Sequence, residues 1–204
     1  MERNTAFDLT EKISRASAPN LLDQPESDLV KQTILNPEMF SELYKLYLPR
    51  VYYYLLDIVR NQADAEDLTS LTFISAYASI NKLREENKFS VWLFRIAKNK
   101  ANDFFRRKKL TVEVSEEFLE ILDQKYFSSP VIKIEELIVV MKMVNSLPAK
   151  DSELLRLKFV AQLTFFEISE CLGGISENRV KKRYYEILKN LRREMEGEYG
   201  QQYY

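Results

Sequence analysis

The chain contains no histidine, and that one absence closes several chemistries. Ser-His-Asp and Cys-His nucleophilic catalysis, histidine-ligated metals and histidine pH switching are all excluded. A single cysteine, Cys171, cannot form an internal disulfide or a Cys-rich zinc site, so a reducing compartment is expected. Four glycines and six prolines among 204 residues are too few for the many tight turns of an all-β protein. No apolar run approaches the roughly 18–20 residues that cross a bilayer. The first residues, MERNTAFDLTEKISRASAPN, lack the basic-then-apolar pattern of a signal peptide. The expectation is a cytoplasmic protein without direct membrane insertion. An apolar fraction of 46% is enough to build cores, and the length suits one large domain or two small ones.

The net charge of −1 hides segregation. Residues 1–39 carry 4 basic and 7 acidic side chains, 40–109 carry 13 and 8, 110–134 carry 2 and 5, and 135–204 carry 11 of each. Arg95–Lys109 holds seven basic residues and one acid, and Arg179–Arg193 repeats that ratio. Either patch alone reads as a solvated helix face. Two of them, each interleaved with aromatic or amide residues, favour a polyanion.

Apolar periodicity predicts an all-α protein: two small helical domains joined by a flexible acidic linker. Residues 1–26 are polar with no sustained period and read as a mobile extension. Asp28 is placed to cap a short helix carrying Leu29, Val30, Ile34 and Leu35 that stops near Asn36-Pro37. Glu38–Arg60 is a long helical stretch, with Pro49 marking a kink or a new first turn. Asp64–Leu83 follows, its buried side suggested by Leu68, Leu71, Phe73, Ile74, Tyr77 and Ile80. After a polar loop comes a helix over Phe89–Lys108, closing a first domain over 27–109. The linker spans 110–133. The second domain, 134–197, begins with a helix through Val144. Pro148 opens a further helix to about Ala161, and Thr164–Leu172 ends at Gly173-Gly174. A last helix runs from Ser176 to Glu196, and 198–204 read as a frayed tail.

A short helix, a glycine turn and a longer basic helix make a helix-turn-helix. At 100° per residue, Val180, Tyr184, Ile187 and Leu191 share one stripe that must face the core. Opposite lie Asn178, Lys182, Tyr185 and Lys189, flanked by Arg179, Lys181, Glu186, Arg192 and Arg193. Amides near the start of such a helix read base edges, and Lys and Arg suit phosphates. Ser176 can cap the helix and aim its N-terminal amides at a phosphate.

In Phe89–Lys108, Leu93, Phe94, Ala97, Ala101 and Phe104 form the apolar stripe, with Arg95, Asn99, Asn102 and Arg106 opposite and Trp92 at the edge. This line suits a strand with unstacked bases, each stacking contact being worth about 1–3 kcal/mol. Plain core packing is the competing role for Phe89 and Trp92. The cluster Asp64-Ala65-Glu66-Asp67 splays over more than one helix face, so a metal reading is weak. Such acids complement a helix N-terminus or form a docking surface for a basic partner.

Taken in order, these pieces resemble the sigma-70 family of RNA polymerase sigma factors, specifically the two-domain extracytoplasmic-function (ECF) group. The carrying residues are Phe40-Ser-Glu-Leu-Tyr44, Pro49-Arg50-Val51-Tyr52, Asp64-Ala-Glu-Asp-Leu68 with Thr72-Phe73, and Phe89-Ser-Val-Trp-Leu93 with Arg95-Ile-Ala-Lys-Asn99. The second domain adds Leu147-Pro148, Leu154-Leu155-Arg156-Leu157, Leu163-Thr164, Glu167-Ile168, Leu172-Gly173 and Val180-Lys181 with Arg183. The resemblance implies polymerase core binding by Asp64, Glu66, Asp67, Leu68, Leu71 and Phe73. It implies capture of the melted minus-10 element by Lys88, Phe89, Trp92, Arg95, Lys98, Asn99, Asn102 and Arg106. It implies minus-35 readout by Ser176, Asn178, Arg179, Lys181, Lys182, Arg183, Tyr185 and Lys189. The linker would thread the polymerase's RNA path, where its acids could mimic nucleic acid. Implied partners are the bacterial RNA polymerase core, promoter DNA and an anti-sigma factor, with no cofactor, metal or catalytic residue. Two departures stand out: Ser70-Leu71 replaces the family's usual Gln-Glu, and Leu172 to Val180 is one residue longer, with Gly174 as the insertion.

The competing readings are a helix-turn-helix transcriptional regulator and a helical adaptor of the transcription machinery that touches no DNA. An enzyme is disfavoured, because the sequence offers no nucleophile–base pair, phosphate-cradling glycine loop or metal shell.

Overall fold

The computed structural model describes residues 26–108, 144 and 146–200. The expectations for the extension, the linker and the helix before Val144 lie outside these residues. Within them the chain is all-α.

Helix α1 (Glu26–Leu35) buries Leu29, Val30 and Thr33. It starts before Asp28, which lies in its first turn rather than capping it, and Leu35 is exposed instead of buried. Asn36 then caps a 3-10 turn, Pro37–Met39, by accepting a hydrogen bond from the Glu38 amide at 3.2 Å. Helix α2 (Phe40–Val59) runs through Pro49 unbroken, with the proline on an exposed position. Its inner face, Leu43, Tyr47, Val51, Tyr54 and Leu55, is fully buried and forms the central post. Each such side chain contributes about 1.5–3 kcal/mol of burial. Arg60 ends α2 in the left-handed region, φ 56°, and Asn61 caps α3 (Gln62–Ser79) by accepting from the Asp64 amide at 3.0 Å.

The buried stripe of α3 differs from the expected one. Ala65, Leu68, Thr69, Thr72, Phe73 and Ala76 face inward at i, i+3, i+4 spacing, whereas Leu71, Ile74 and Tyr77 are 47%, 64% and 52% exposed. The two threonines can be buried because each hydroxyl donates to the carbonyl four residues back, Ala65 and Leu68, at 2.7 Å. Short 3-10 turns, Ile80–Lys82 and Glu86–Lys88, lead to α4 (Phe89–Lys108). As expected, α4 buries Leu93, Phe94, Ala97 and Ala101, while Phe104 is half-buried.

Pro148 precedes α5 (Ala149–Leu155), which continues through a π-helical turn, Arg156–Val160. Gln162 follows with φ 55°, the second non-glycine residue in the left-handed region. Helix α6 (Phe165–Cys171) opens with a capping box: the Thr164 hydroxyl accepts from the Glu167 amide, and the Thr164 amide donates to the Glu167 carboxylate at 2.7 Å. Gly173 and Gly174 then take φ 90° and 77°. Two successive left-handed residues strain any L side chain, so the extra Gly174 is built into the turn geometry. Its amide donates to the Ser169 carbonyl at 2.9 Å and closes the end of α6. Helix α7 (Glu177–Gly200) extends past Glu196, so residues expected to fray up to Gly200 are helical.

Helices α1–α4 form one bundle, and α5–α7 pack around Val180, Tyr184 and Ile187. The two groups meet: α6 lies against α4, and the π turn lies against α2. Their apolar side chains merge into one buried cluster.

Candidate nucleic-acid interface

On α4, the residues Arg95, Asn99, Asn102 and Arg106 fall within about 60° of arc at 100° per residue and are exposed. The line alternates cation, amide, amide, cation. Arg106 pairs with Asp103 on its own helix at 2.9 Å. Trp92 lies beside this line, half-buried against Phe89 at 5.8 Å between ring centroids.

Phe89 itself is a correction. Expected at the strand-binding surface, it is fully buried, with its ring edge-to-face to Tyr47 at 5.2 Å. A ring enclosed on all sides presents no face to a base. Lys88 pairs with Glu85 at 3.2 Å and with Glu170 at 3.3 Å, and these carboxylates raise its pKa. Lys98 pairs with Glu153 at 3.0 Å, and Arg95 donates to the Glu170 carbonyl.

On α7, Asn178, Arg179, Lys182, Tyr185 and Lys189 are exposed, and all but Arg179 lie within 60° of arc opposite the buried Val180, Tyr184 and Ile187. Ser176 occupies the cap position, its carbonyl accepting from the Val180 amide at 3.1 Å. Lys181 pairs with Glu177 at 2.7 Å. Arg183 is the second correction. Its guanidinium engages both carboxylate oxygens of Asp151, Nε to Oδ1 being 2.8 Å, and Asp151 is buried. The hydrogen bonds that Arg183 donates to Asp151 raise its pKa, and the pair pins α7 to α5 instead of facing a phosphate.

At the third expected surface, on α3, Asp64, Asp67 and Leu71 share the outer face with Ile74, and Glu66 lies at its flank. Leu68 and Phe73, expected there too, are buried at 5% and 4% exposure because they belong to the inward stripe. The outer face therefore mixes carboxylates with exposed apolar side chains. Tyr77 extends the apolar part and meets Phe40 edge-to-face at 5.2 Å.

Sequence reasoning missed the seam between the two helix groups. Arg50 donates from Nε to the Ala161 carbonyl at 2.8 Å and covers the Tyr47 ring at 4.6 Å. Arg156 bonds Asp57 and lies 3.3 Å from Glu153, while the Tyr54 hydroxyl donates to Glu153 at 3.0 Å. Burial pushes the Tyr54 hydroxyl well above its ordinary value, and Glu153 adds to that. For Arg156, burial acts to lower the pKa, but Asp57 and Glu153 outweigh it and the net shift is upward. The Ser90 hydroxyl donates to Glu167 across the same seam. Cys171 lies against the Val91 carbonyl, and burial pushes its thiol up to about 12. The partners that meet across the seam in these contacts are separated by 77–111 positions in the chain, so no local pattern announces them.

Among the described residues no group of three or more His, Cys, Asp or Glu could hold a metal ion, and no helix is long and apolar enough to cross a membrane.

An all-α chain with a glycine-turned helix pair and two separate cationic helix faces belongs to the class of helix-turn-helix proteins built for nucleic acid. Comparison with known proteins makes the class specific. Residues 43–111, which span most of α2 through α4, match the family described as Sigma-70 region 2. The chain is 32% identical over 141 residues to the ECF RNA polymerase sigma factor SigM of Bacillus subtilis (strain 168), covering 69% of this chain and 85% of that protein. It is 29% identical over 168 residues to SigW of the same organism, also an ECF sigma factor, covering 78% and 89%. The solved structure of CnrH in complex with the cytosolic domain of CnrY shares the fold, with a TM-score of 0.60 at 20% identity over 81% of this chain and 96% of that one. The chain belongs to the ECF group of the sigma-70 family.

Proposed function

We propose that this sigma factor divides promoter-directed initiation among three of its surfaces. Residues 27–109 form the part that holds polymerase and captures the minus-10 element, 110–133 tether, and 134–197 read the minus-35 element. The outer face of α3, with Asp64, Glu66, Asp67 and Leu71, docks the polymerase core, using carboxylates for basic partners and exposed apolar area for affinity. Arg95, Asn99, Asn102 and Arg106, with Trp92 beside them and Lys88 and Lys98 at the start of the line, take the melted strand. Asn178, Arg179, Lys182, Tyr185 and Lys189 face the duplex, with Ser176 and Lys181 at the phosphate-proximal end.

The observation that carries this reading is the pair of amide-bearing cationic stripes on α4 and α7, each opposite a buried apolar stripe. Cations track phosphates, amides address base edges, and an indole stacks. Opening DNA forfeits about 1.4 kcal/mol of stacking per base-pair step. Base capture returns a comparable amount per base, so melting requires the polymerase's own contacts as well. The chain performs no covalent chemistry in this scheme and works in the cytoplasm, where an anti-sigma factor is a fitting regulator. Reconstituted holoenzyme should select defined start sites on genomic DNA, read by sequencing 5′ ends of the transcripts. Core polymerase giving the same starts with and without the chain would refute the proposal.

A further inference from the structure

The duplex-facing side of α7 carries a side chain of the wrong sign for a phosphate backbone. At 100° per residue, Glu186 falls about 20° of arc from Arg179 and about 40° from Lys182, and it is exposed as they are. Along the axis it stands between Tyr185 and Lys189, inside the span of residues assigned to the minus-35 element. A carboxylate there repels phosphates and weakens binding to arbitrary DNA. Its partner on the helix does not cancel that charge. Arg183 Nη1 lies 3.4 Å from Glu186 Oε2, while Nε and Nη2 of the same guanidinium bind the buried Asp151. One positive charge is thus divided between two carboxylates, and Asp151 is the nearer. An exposed pair at i, i+3 spacing also adds little to the helix. A carboxylate has about four acceptor sites, and the Arg183 contact engages one of them.

We propose that Glu186 reads a cytosine in the minus-35 element, its carboxylate accepting a hydrogen bond from the exocyclic N4 amino group in the major groove. The inference rests on the promoter reading above and deepens it from a surface to a base. Ionised carboxylate oxygens only accept, and the major-groove edges of guanine and thymine offer them further acceptors, N7 and O6 of the one and O4 of the other. Two bases donate: cytosine through N4 and adenine through N6. Adenine N6 lies beside its own N7 acceptor, which repels the second carboxylate oxygen, whereas cytosine has a C–H at that place. Cytosine is therefore the base a carboxylate favours. A side-chain amide, which adds a donor for N7, favours adenine instead. Selectivity comes from repulsion as much as from attraction, because the charge that weakens contact with arbitrary DNA is offset only where the amino group is present.

Holoenzyme reconstituted with the full-length chain should select minus-35 sequences from a randomised promoter library, with cytosine enriched on one strand at one position. Glu186→Gln should lower the cytosine-to-adenine ratio at that position about tenfold and leave the other positions unchanged. Glu186→Ala should flatten the preference there. Glu194→Gln, an equal charge change at an exposed position about 80° farther around α7, should select as wild type does. A direct check needs no variant. N4-methylcytosine still pairs with guanine, but its methyl group takes the place of the groove-side hydrogen. At the selected position it should weaken wild-type holoenzyme binding about tenfold and change Glu186→Ala binding by less than about twofold.

Wild-type binding that tolerates N4-methylcytosine overturns the inference. So do Glu186 variants that change affinity for every promoter equally without altering the preference at any position, since that is the signature of charge alone. Holoenzyme that starts at defined sites but selects no cytosine in the minus-35 element overturns this inference and leaves the promoter reading standing. Holoenzyme that selects no start at all overturns the promoter reading and this inference with it.

Discussion

Phe89 offers the sharpest separation of a folding role from a DNA-binding role. Its ring is fully buried at the head of α4, between Tyr47 and Trp92 at 5.2 and 5.8 Å. Phe89→Ala removes the ring and leaves a cavity, which in cores costs about 3–5 kcal/mol. Against a typical stability of about 5–15 kcal/mol, that is a large share. At about 2–4 °C per kcal/mol for a chain of this size, the melting temperature should fall by roughly 6–20 °C. Phe89→Leu keeps most of the volume. It forfeits about 1.5 kcal/mol or less in packing and about 0.5–1.5 kcal/mol in ring–ring geometry, so its fall should be smaller. Calorimetry gives the stabilities. Permanganate footprinting of a promoter at a temperature where every variant is folded gives strand opening. Phe89→Leu should open the promoter as wild type does, whereas Trp92→Ala should open it poorly while remaining folded. A stably folded Phe89→Leu that fails to open DNA, beside a Trp92→Ala that opens it normally, would refute the assignment.

Three further outcomes are expected. Leu71→Ser with Ile74→Ser should weaken copurification with core polymerase yet leave the melting temperature within about 2 °C, because both side chains are already exposed; a large loss of stability would place them in the core. Arg183→Met should cost about 1–2 kcal/mol in urea unfolding, since it strands the buried Asp151 carboxylate beside a half-exposed partner. In Arg183→Met with Asp151→Leu most of that loss should return, and a promoter affinity lowered equally by Arg183→Met and by the pair would point to phosphate contact instead. Cys171 has a folded pKa of about 12 against an ordinary 9.0, so its contribution to stability is fully present below pH 9 and is lost as pH rises toward 12. Wild type should therefore lose up to about 1.4 kcal/mol per pH unit over that window relative to Cys171→Ala. Parallel stability–pH curves for the two proteins would show that the thiol is not buried.

Much of the site was readable before the structure because helical periodicity and side-chain chemistry agreed. On α4 and α7 the apolar and cationic positions separate cleanly at 100° per residue, and the exposed stripes fall where that pattern places them. On α3 they do not separate. Its burial is carried by alanines and self-bonded threonines, so the large apolar residues Leu71, Ile74 and Tyr77 misled a reading based on hydrophobicity. A search for i, i+3, i+4 positions that tolerate close approach would have found Ala65, Thr69, Thr72 and Ala76. Arg183 misled for a different reason: its position on the basic helix is local information, but its partner Asp151 lies 32 residues away.

The amino-acid order alone determined the helices, their caps at Asn36, Asn61 and Thr164, the double-glycine turn and the two cationic stripes, because each arises from interactions within a few residues. Only the tertiary structure decided which of those cations are available. Lys88, Arg95, Lys98 and Arg183 look alike in the chain, yet carboxylates and carbonyls brought from afar engage all four, while Lys182 and Lys189 are exposed on α7. Charge is a property of a residue; whether that charge is spent on the protein itself depends on partners that only folding brings within a few ångströms.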